Sequence, residues 1–347
     1  MNSLINLALK FLKNPLFMLR VFLTLLITKN SLERLGFLVR AQNNETYSLS
    51  LTWINSLLPR ELLVNEGNVQ FYYYLVIICT ITTIIGLFGR LSLFILASVS
   101  IIINGMVEGI GVYDHAVSLP IQIYFILAFL PGTMFFSIDR FLLSTYWKKD
   151  NLKPINPKIL KLSTNLLLII LVATYFSAGL SKLRYGGVDW LDGKTLSFYI
   201  QDKMMDYDDG KKQLLLGRDT NEKDFEWKGK YHLYAHTYGN YNTSAKVRSI
   251  NTWLGTNKYM MSGISIMTVL LELCGFVVFI NPRLRNLYLL SVICMHSVIG
   301  LTMGLSFRYY ELVCLCLMDW ESIYNSVLAT NNKLKAGKLK LVRLRAK

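Results

Sequence analysis

The run Leu162-Ser-Thr-Asn-Leu-Leu-Leu-Ile-Ile-Leu-Val-Ala-Thr-Tyr175-Phe-Ser-Ala-Gly179-Leu-Ser-Lys182-Leu183 decides the fold. No Asp, Glu, Lys or Arg interrupts it before Lys182. Wound as a helix it reaches across a bilayer core about 30 Å thick, at roughly 1.5 Å per residue. The sequence around it has the same character. Hydrophobic residues make up 53% and charged residues only 17%, with a mean hydropathy of +0.37, whereas about a quarter of a soluble domain is charged. That balance excludes intrinsic disorder and a collagen-like repeat, and 5 Cys in 347 residues exclude a small disulfide scaffold.

Working outward from Leu162–Leu183, seven more apolar runs are candidate spans: about Pro15–Thr28, Phe71–Phe88, Leu91–Met106, Val117–Phe136, Tyr259–Ile280, Leu287–Gly304 and Tyr309–Met318. The expected fold class is an all-α polytopic membrane protein of about eight helices. The first run is short and carries Arg20, so it either spans or lies in the interface. Tyr72, Tyr73, Tyr74, Trp147, Trp190, Tyr259, Tyr309, Tyr310 and Trp320 fall near the run ends, as an aromatic belt does. The transmembrane domain is expected over residues 15–320, with a charged loop at 184–258 inserted and a basic tail at 321–347.

Charge sets the expected orientation in the cell membrane. Lys148, Lys149, Lys153, Lys158 and Lys161 lie between the fourth and fifth runs, Arg283 and Arg285 between the sixth and seventh, and seven Lys/Arg follow Asn332. Short basic loops stay cytoplasmic, which puts both termini inside and loop 184–258 outside. The net charge of +15 then reports topology and anionic headgroups, and no nucleic-acid partner is needed. No cleavable signal peptide is expected, because Lys10, Lys13 and Arg20 break up the N-terminal apolar stretch.

Other chemistries have little to stand on. Cys79, Cys274, Cys294, Cys314 and Cys316 all fall inside candidate spans, where they read as small hydrophobes, so neither a disulfide nor a metal is expected. His232 and His236 have i, i+4 spacing but no third ligand nearby. Asn44-Glu-Thr46 and Asn242-Thr-Ser244 match the glycosylation tripeptide. Nucleotide-binding, zinc-protease and nucleophile-elbow motifs do not occur.

Ionisable residues inside spans are the informative ones, since each costs roughly 2.5–3.5 kcal/mol at mid-bilayer unless it is paired or faces a cavity. Lys182 closes the fifth run behind the small residues Ser177, Ala178, Gly179 and Ser181, which let a neighbouring helix approach and cover it. It reads either as a desolvated base or as a lysine snorkelling to the headgroups. Glu272, in mid-span, calls for a Lys or His partner. His296 shares a helix face with Gly300 and Gly304, a face expected to pack on protein rather than lipid, and is either hydrogen-bonded structure or a site residue. His115 precedes the fourth run and by itself reads as a loop histidine.

At this point a family resemblance enters. Ser-Ala-Gly179-Leu-Ser-Lys182-Leu183, followed by Asp189-Trp190-Leu-Asp192-Gly193 and Leu196, resembles the hallmark segment of the horizontally transferred transmembrane (HTTM) domain family, which includes the vitamin K-dependent gamma-carboxylases. Two further pieces are similar and in the same order: Asp114-His115 before Ser137-Ile-Asp139, and Glu272 with Arg283, Arg285 and His296. The resemblance implies a catalytic set of Lys182, His115, His296 and Glu272. Lys182 would deprotonate reduced vitamin K or menaquinol, with O2 and CO2 as co-substrates, leading to carboxylation of a peptide, a lyase-type reaction. His115 would orient Lys182 or hold it neutral, while His296 would line the same cavity and Glu272 would fix His296 or a neighbouring helix. The large extramembrane domain of the carboxylases has no counterpart among these residues. A second expectation is therefore a non-enzymatic membrane factor for maturation, export or immunity of a secreted peptide, similar to the sporulation-delaying toxin maturation protein.

Overall fold

The computed structural model describes residues 11–43, 51–110, 117–146, 156–201, 205–206, 213–214 and 244–330. The described chain is helical apart from one antiparallel ladder of two-residue strands, Met205–Asp206 with Gln213–Leu214. In chain order the main helices are α1 Pro15–Gln42, α2 Val69–Ile85, α3 Gly89–Gly109, α4 Ser118–Leu127, α5 Ile138–Tyr146, α6 Pro157–Gly186, α7 Lys194–Ile200, α8 Ala245–Thr256, α9 Lys258–Leu273, α10 Pro282–Met303, α11 Arg308–Leu317 and α12 Trp320–Thr330.

Each of the eight apolar runs falls on one of these helices. Among the described residues α1, α3, α6 and α10 are long and apolar enough to cross a membrane, and the bent pair α11 and α12 makes a fifth if it counts as one span. The helix in Val117–Phe136 stops at Leu127, short of Pro131, whose missing N–H and ring oppose continuation, and of Gly132 at φ 98°. At the ends of the stretch expected as an outer loop, 184–258, lie α7 and α8.

Contacts divide the chain into two compact units. The first comprises the chain up to Leu167, Phe279–Leu287 and the chain from Leu315 on. Asn14 caps α1, its side chain accepting from the Phe17 N–H at 3.0 Å, with Pro15 in the first turn where its lost N–H costs nothing. Leu23, Ile27, Leu35 and Leu38 of α1 are buried together with Val76 of α2 and Leu93, Leu96 and Ile103 of α3. Between apolar helices the hydrophobic effect adds little in lipid, so hydroxyl pairs help set the register: Thr28 with Thr80 at 2.6 Å and Ser31 with Ser100 at 2.9 Å. The break between α11 and α12 is a polar joint, where Asn286 accepts from the Asp319 N–H at 2.7 Å and Asp319 caps Ser322 at 2.9 Å.

Arg20, expected only as an interruption, is the largest fully buried side chain of the described chain, at 0% exposure. Helix α1 widens to a π-helical stretch at Leu19–Leu23. From there the guanidinium donates to the carbonyls of Thr133 at 2.9 Å, Ile84 at 3.4 Å and Phe136. Thr133 in turn closes the end of α4 by donating to Leu127 O at 2.8 Å. Asp139 accepts from the Phe88 N–H at 2.8 Å and the Gly89 N–H at 2.9 Å, capping α3. Gly86, at φ 72°, turns the chain between α2 and α3.

The second unit comprises Leu168–Val278 and Tyr288–Cys314. Ser244 caps α8, and Asn257 caps α9, accepting from the Met260 N–H at 3.1 Å. Hydrogen bonds to backbone carbonyls join the surrounding pieces: Ser197 to Gly255 at 2.7 Å, Ser262 to Leu191 at 2.7 Å and Asn251 to Thr302 at 2.7 Å. Ile200, Met261 and Met303 form the small core between them. Burial pushes the Tyr199 phenol on α7 up to about 12, so it stays neutral.

Candidate functional site

Within the second unit, α6 carries Lys182 and α9 carries Glu272, and the two side chains meet. The Lys182 ammonium donates to both carboxylate oxygens, at 2.7 and 2.8 Å. The reason lies one turn earlier on α6. A Cβ on Gly179 would stand 3.0 Å from the Cβ of Glu272 and 3.1 Å from Cδ2 of Leu273, so even a methyl there would press α9 outward by a few tenths of an ångström. The small-residue turn before Lys182 does bring a helix close, and the side chain covering the amine from it is an acid.

The pair is asymmetric. Glu272 is 7% exposed and Lys182 26%, which seals the carboxylate and leaves the amine partly open. The Trp190 ring lies 5.6 Å from the Lys182 nitrogen, within cation–π range. Trp190 packs against Gly186, where a Cβ would come within 2.9 Å of the indole. Gly186 and Trp190 thus close around the lysine end of α6. Here the Lys182 amine is paired with an acid of the neighbouring helix.

His296, on α10, is 5% exposed, and its Nε2 lies 2.6 Å from the Tyr175 hydroxyl. Tyr175 and Lys182 are seven residues apart on α6, two turns and about 10 Å along one face. Helix α6 therefore presents two polar stations, one holding the acid of α9 and the other the imidazole of α10. Phe307 and Tyr310 flank His296, with ring centroids 4.6 and 5.5 Å away. Its second nitrogen, Nδ1, has no partner among the described residues.

His296, Gly300 and Gly304 line a cavity of about 630 Å³ together with Ser297, Phe307, Arg308 and Glu311. The glycine face read from the sequence as packing on protein opens space instead. Lys182 and Glu272 are not among the lining residues.

His115 and Asp114 lie outside the described residues, as do His232, His236, both glycosylation tripeptides, most of the loop and the basic tail from residue 331. Asp139, the other end of that matched piece, caps α3. Among the described residues no group of three or more His, Cys, Asp or Glu stands together, and all five cysteines are free. Sequence reasoning missed Arg308 and Glu311 as cavity residues, since a charged pair at the start of an apolar run resembles any helix end at a membrane surface. No family model matches the chain, and it has no match among curated proteins or solved structures.

Proposed function

We propose that the protein is an integral membrane enzyme for quinol-dependent modification of a peptide, with Lys182 as the base and Glu272 as its proton partner. The observation that carries this reading is the bidentate Lys182–Glu272 pair, sealed on the acid side and open on the amine side. A base has to be uncharged to act, and a lysine alone in an apolar site has nowhere to leave its proton. Glu272, hydrogen-bonded at 2.7 Å, takes that proton and frees the amine lone pair for a substrate hydroxyl. The residues fit a quinol: Lys182 would meet its hydroxyl, and the neighbouring Trp190 face suits an aromatic ring. When bound, reduced vitamin K or menaquinol would supply, with O2, the strong base that prepares the peptide for CO2.

The topology belongs to the same proposal: eight spans, both termini cytoplasmic and loop 184–258 outward. Single cysteines placed in that loop and in the tail, labelled from outside intact cells, test it. Labelling of the tail rather than the loop would reverse the orientation.

A second reading is favoured by the same contact. Both carboxylate oxygens hold one ammonium, which is also how a purely structural pair locks two helices. The protein would then be a non-enzymatic factor for maturation, export or immunity of a secreted peptide. A quinol epoxidation assay on the purified protein in lipid separates the two. The enzyme reading expects turnover that falls at least a hundredfold in Lys182→Ala and strongly in Glu272→Gln. Turnover equal to wild type in Lys182→Ala removes it as the base, and no turnover in any form leaves the structural role.

A further inference from the structure

The turn between α2 and α3, Gly86-Leu87-Phe88-Gly89, holds one residue in a conformation it does not favour. Phe88 sits at φ 46°, the one non-glycine residue at positive φ among the described residues, where a bulky side chain crowds the backbone. Such strain persists only where the surroundings impose it. Asp139 imposes it here, accepting from the N–H groups of Phe88 at 2.8 Å and Gly89 at 2.9 Å, while its own N–H donates to Gly86 O at 3.0 Å. The ring gains little packing in return, since Phe88 is 69% exposed. A glycine would take the same turn without strain. What the phenylalanine adds is an aromatic ring held outside the chain.

Asp139 belongs to α5, and that helix is turned inside out for a surface in water. At about 3.6 residues per turn, Ile138, Phe141, Leu142, Thr145 and Tyr146 share one face, with Arg140 and Ser144 opposite. The apolar face is the exposed one, Phe141 at 62% and Tyr146 at 75%. The polar side is half-buried, with the Arg140 guanidinium 5.3 Å from the Phe135 ring. Exposed cations border the same end: Arg90, just after the turn, and Lys158 and Lys161 at the start of α6. The Ser163 hydroxyl ties that start to the Pro131 carbonyl, ahead of α5, at 3.3 Å. Asp139 is the only acid in residues 86–91, 137–146 and 156–163, and both its oxygens are taken by N–H groups.

An exposed apolar and aromatic face bordered by cations is the composition that an anionic bilayer surface covers. A second copy of the same face would set cations against cations. The position agrees, because the turn ends one apolar helix and begins α3, which is long and apolar enough to cross a membrane. We infer that Phe88 and the exposed face of α5 form a surface anchor for anionic phospholipid. The rings of Phe88, Phe141 and Tyr146 enter the acyl boundary, and Arg90, Lys158 and Lys161 meet the phosphates. The anchor shares no side chain with the Lys182–Glu272 pair, so it holds or fails independently of the chemistry proposed there.

The test is photo-crosslinking of the full chain in vesicles of equal parts phosphatidylcholine and phosphatidylglycerol, with benzoylphenylalanine in place of Phe141 and the adducts weighed by mass spectrometry. Phosphatidylglycerol is expected in those adducts at least twofold above its share of the bilayer. The same probe in place of Ile81, on the exposed face of α2, should capture the two lipids in proportion. Combining Arg90→Gln, Lys158→Gln and Lys161→Gln should bring the adducts at Phe141 down to that proportion. Phe88→Gly should lower the lipid yield at Phe141 at least twofold while leaving the melting temperature in detergent unchanged or higher, since the strain goes with the ring. Absence of lipid adducts, adducts to a second copy of the chain, capture without phosphatidylglycerol enrichment, enrichment that survives the triple variant, or a Phe88→Gly variant that keeps its lipid yield or melts lower overturns the proposal.

Discussion

Gly179 and Glu272 face each other across two helices with almost no space to spare: a Cβ on the first would stand 3.0 Å from the Cβ of the second. The close approach seats the buried ion pair, because it puts the carboxylate within 2.7 Å of the Lys182 nitrogen one turn on. Gly179→Val is expected to spread α6 from α9 and to cost about 1–3 kcal/mol, the usual range for overpacking. Thermal unfolding in lipid or mild detergent measures it, and a melting temperature equal to wild type would separate the glycine from the seating of the pair.

The pair itself should behave non-additively. Glu272→Ala leaves a partly buried ammonium without its counter-charge, and about 1–3 kcal/mol is expected to be lost, less than for a fully buried pair because water reaches the amine. Lys182→Met combined with Glu272→Met removes both charges and their desolvation together, so it should come within about 1–2 kcal/mol of wild type or above it. A double variant as unstable as the single one would show that the site cannot repack without its charges.

Arg20 predicts a second loss, in the other unit. Arg20→Met strips the carbonyls of Thr133, Ile84 and Phe136 of their shared donor, and leaving buried acceptors unmet should cost roughly 2–5 kcal/mol. Arg20→Lys, with one compact head in place of a fork, should restore only part of that. Full stability in Arg20→Met would mean that water or another donor replaces the guanidinium.

Asp139 should prove structural. Asp139→Ala removes the acceptor of two N–H groups at the start of α3 and is expected to cost about 1–2 kcal/mol. Amide exchange followed by mass spectrometry should quicken over Phe88–Leu91. Unchanged exchange there, with a loss of activity, would move Asp139 from cap to site.

Much of this protein is legible one run at a time. The length and apolarity of Leu162–Leu183 require a membrane helix, and the small residues before Lys182 foretell a close neighbour, because both properties are local. Glu272 announces its need for a cation for the same reason, the cost of a lone acid in lipid. Arg20 was harder to read, since its acceptors are backbone carbonyls, which every residue has and no sequence pattern marks. His296 was read half correctly: its spacing with Gly300 and Gly304 is visible, but packing and open space look alike until the neighbouring chain is in place.

The sequence by itself determined a helical membrane protein and the few charges the bilayer makes expensive, since burial energy follows composition and spacing. Only the tertiary structure decided which charges meet. It gave Lys182 to Glu272, Arg20 to three carbonyls, and His296 to Tyr175 with one nitrogen left buried and without a partner among the described residues, because those partners lie far apart in the chain and are chosen by how closely backbones can approach.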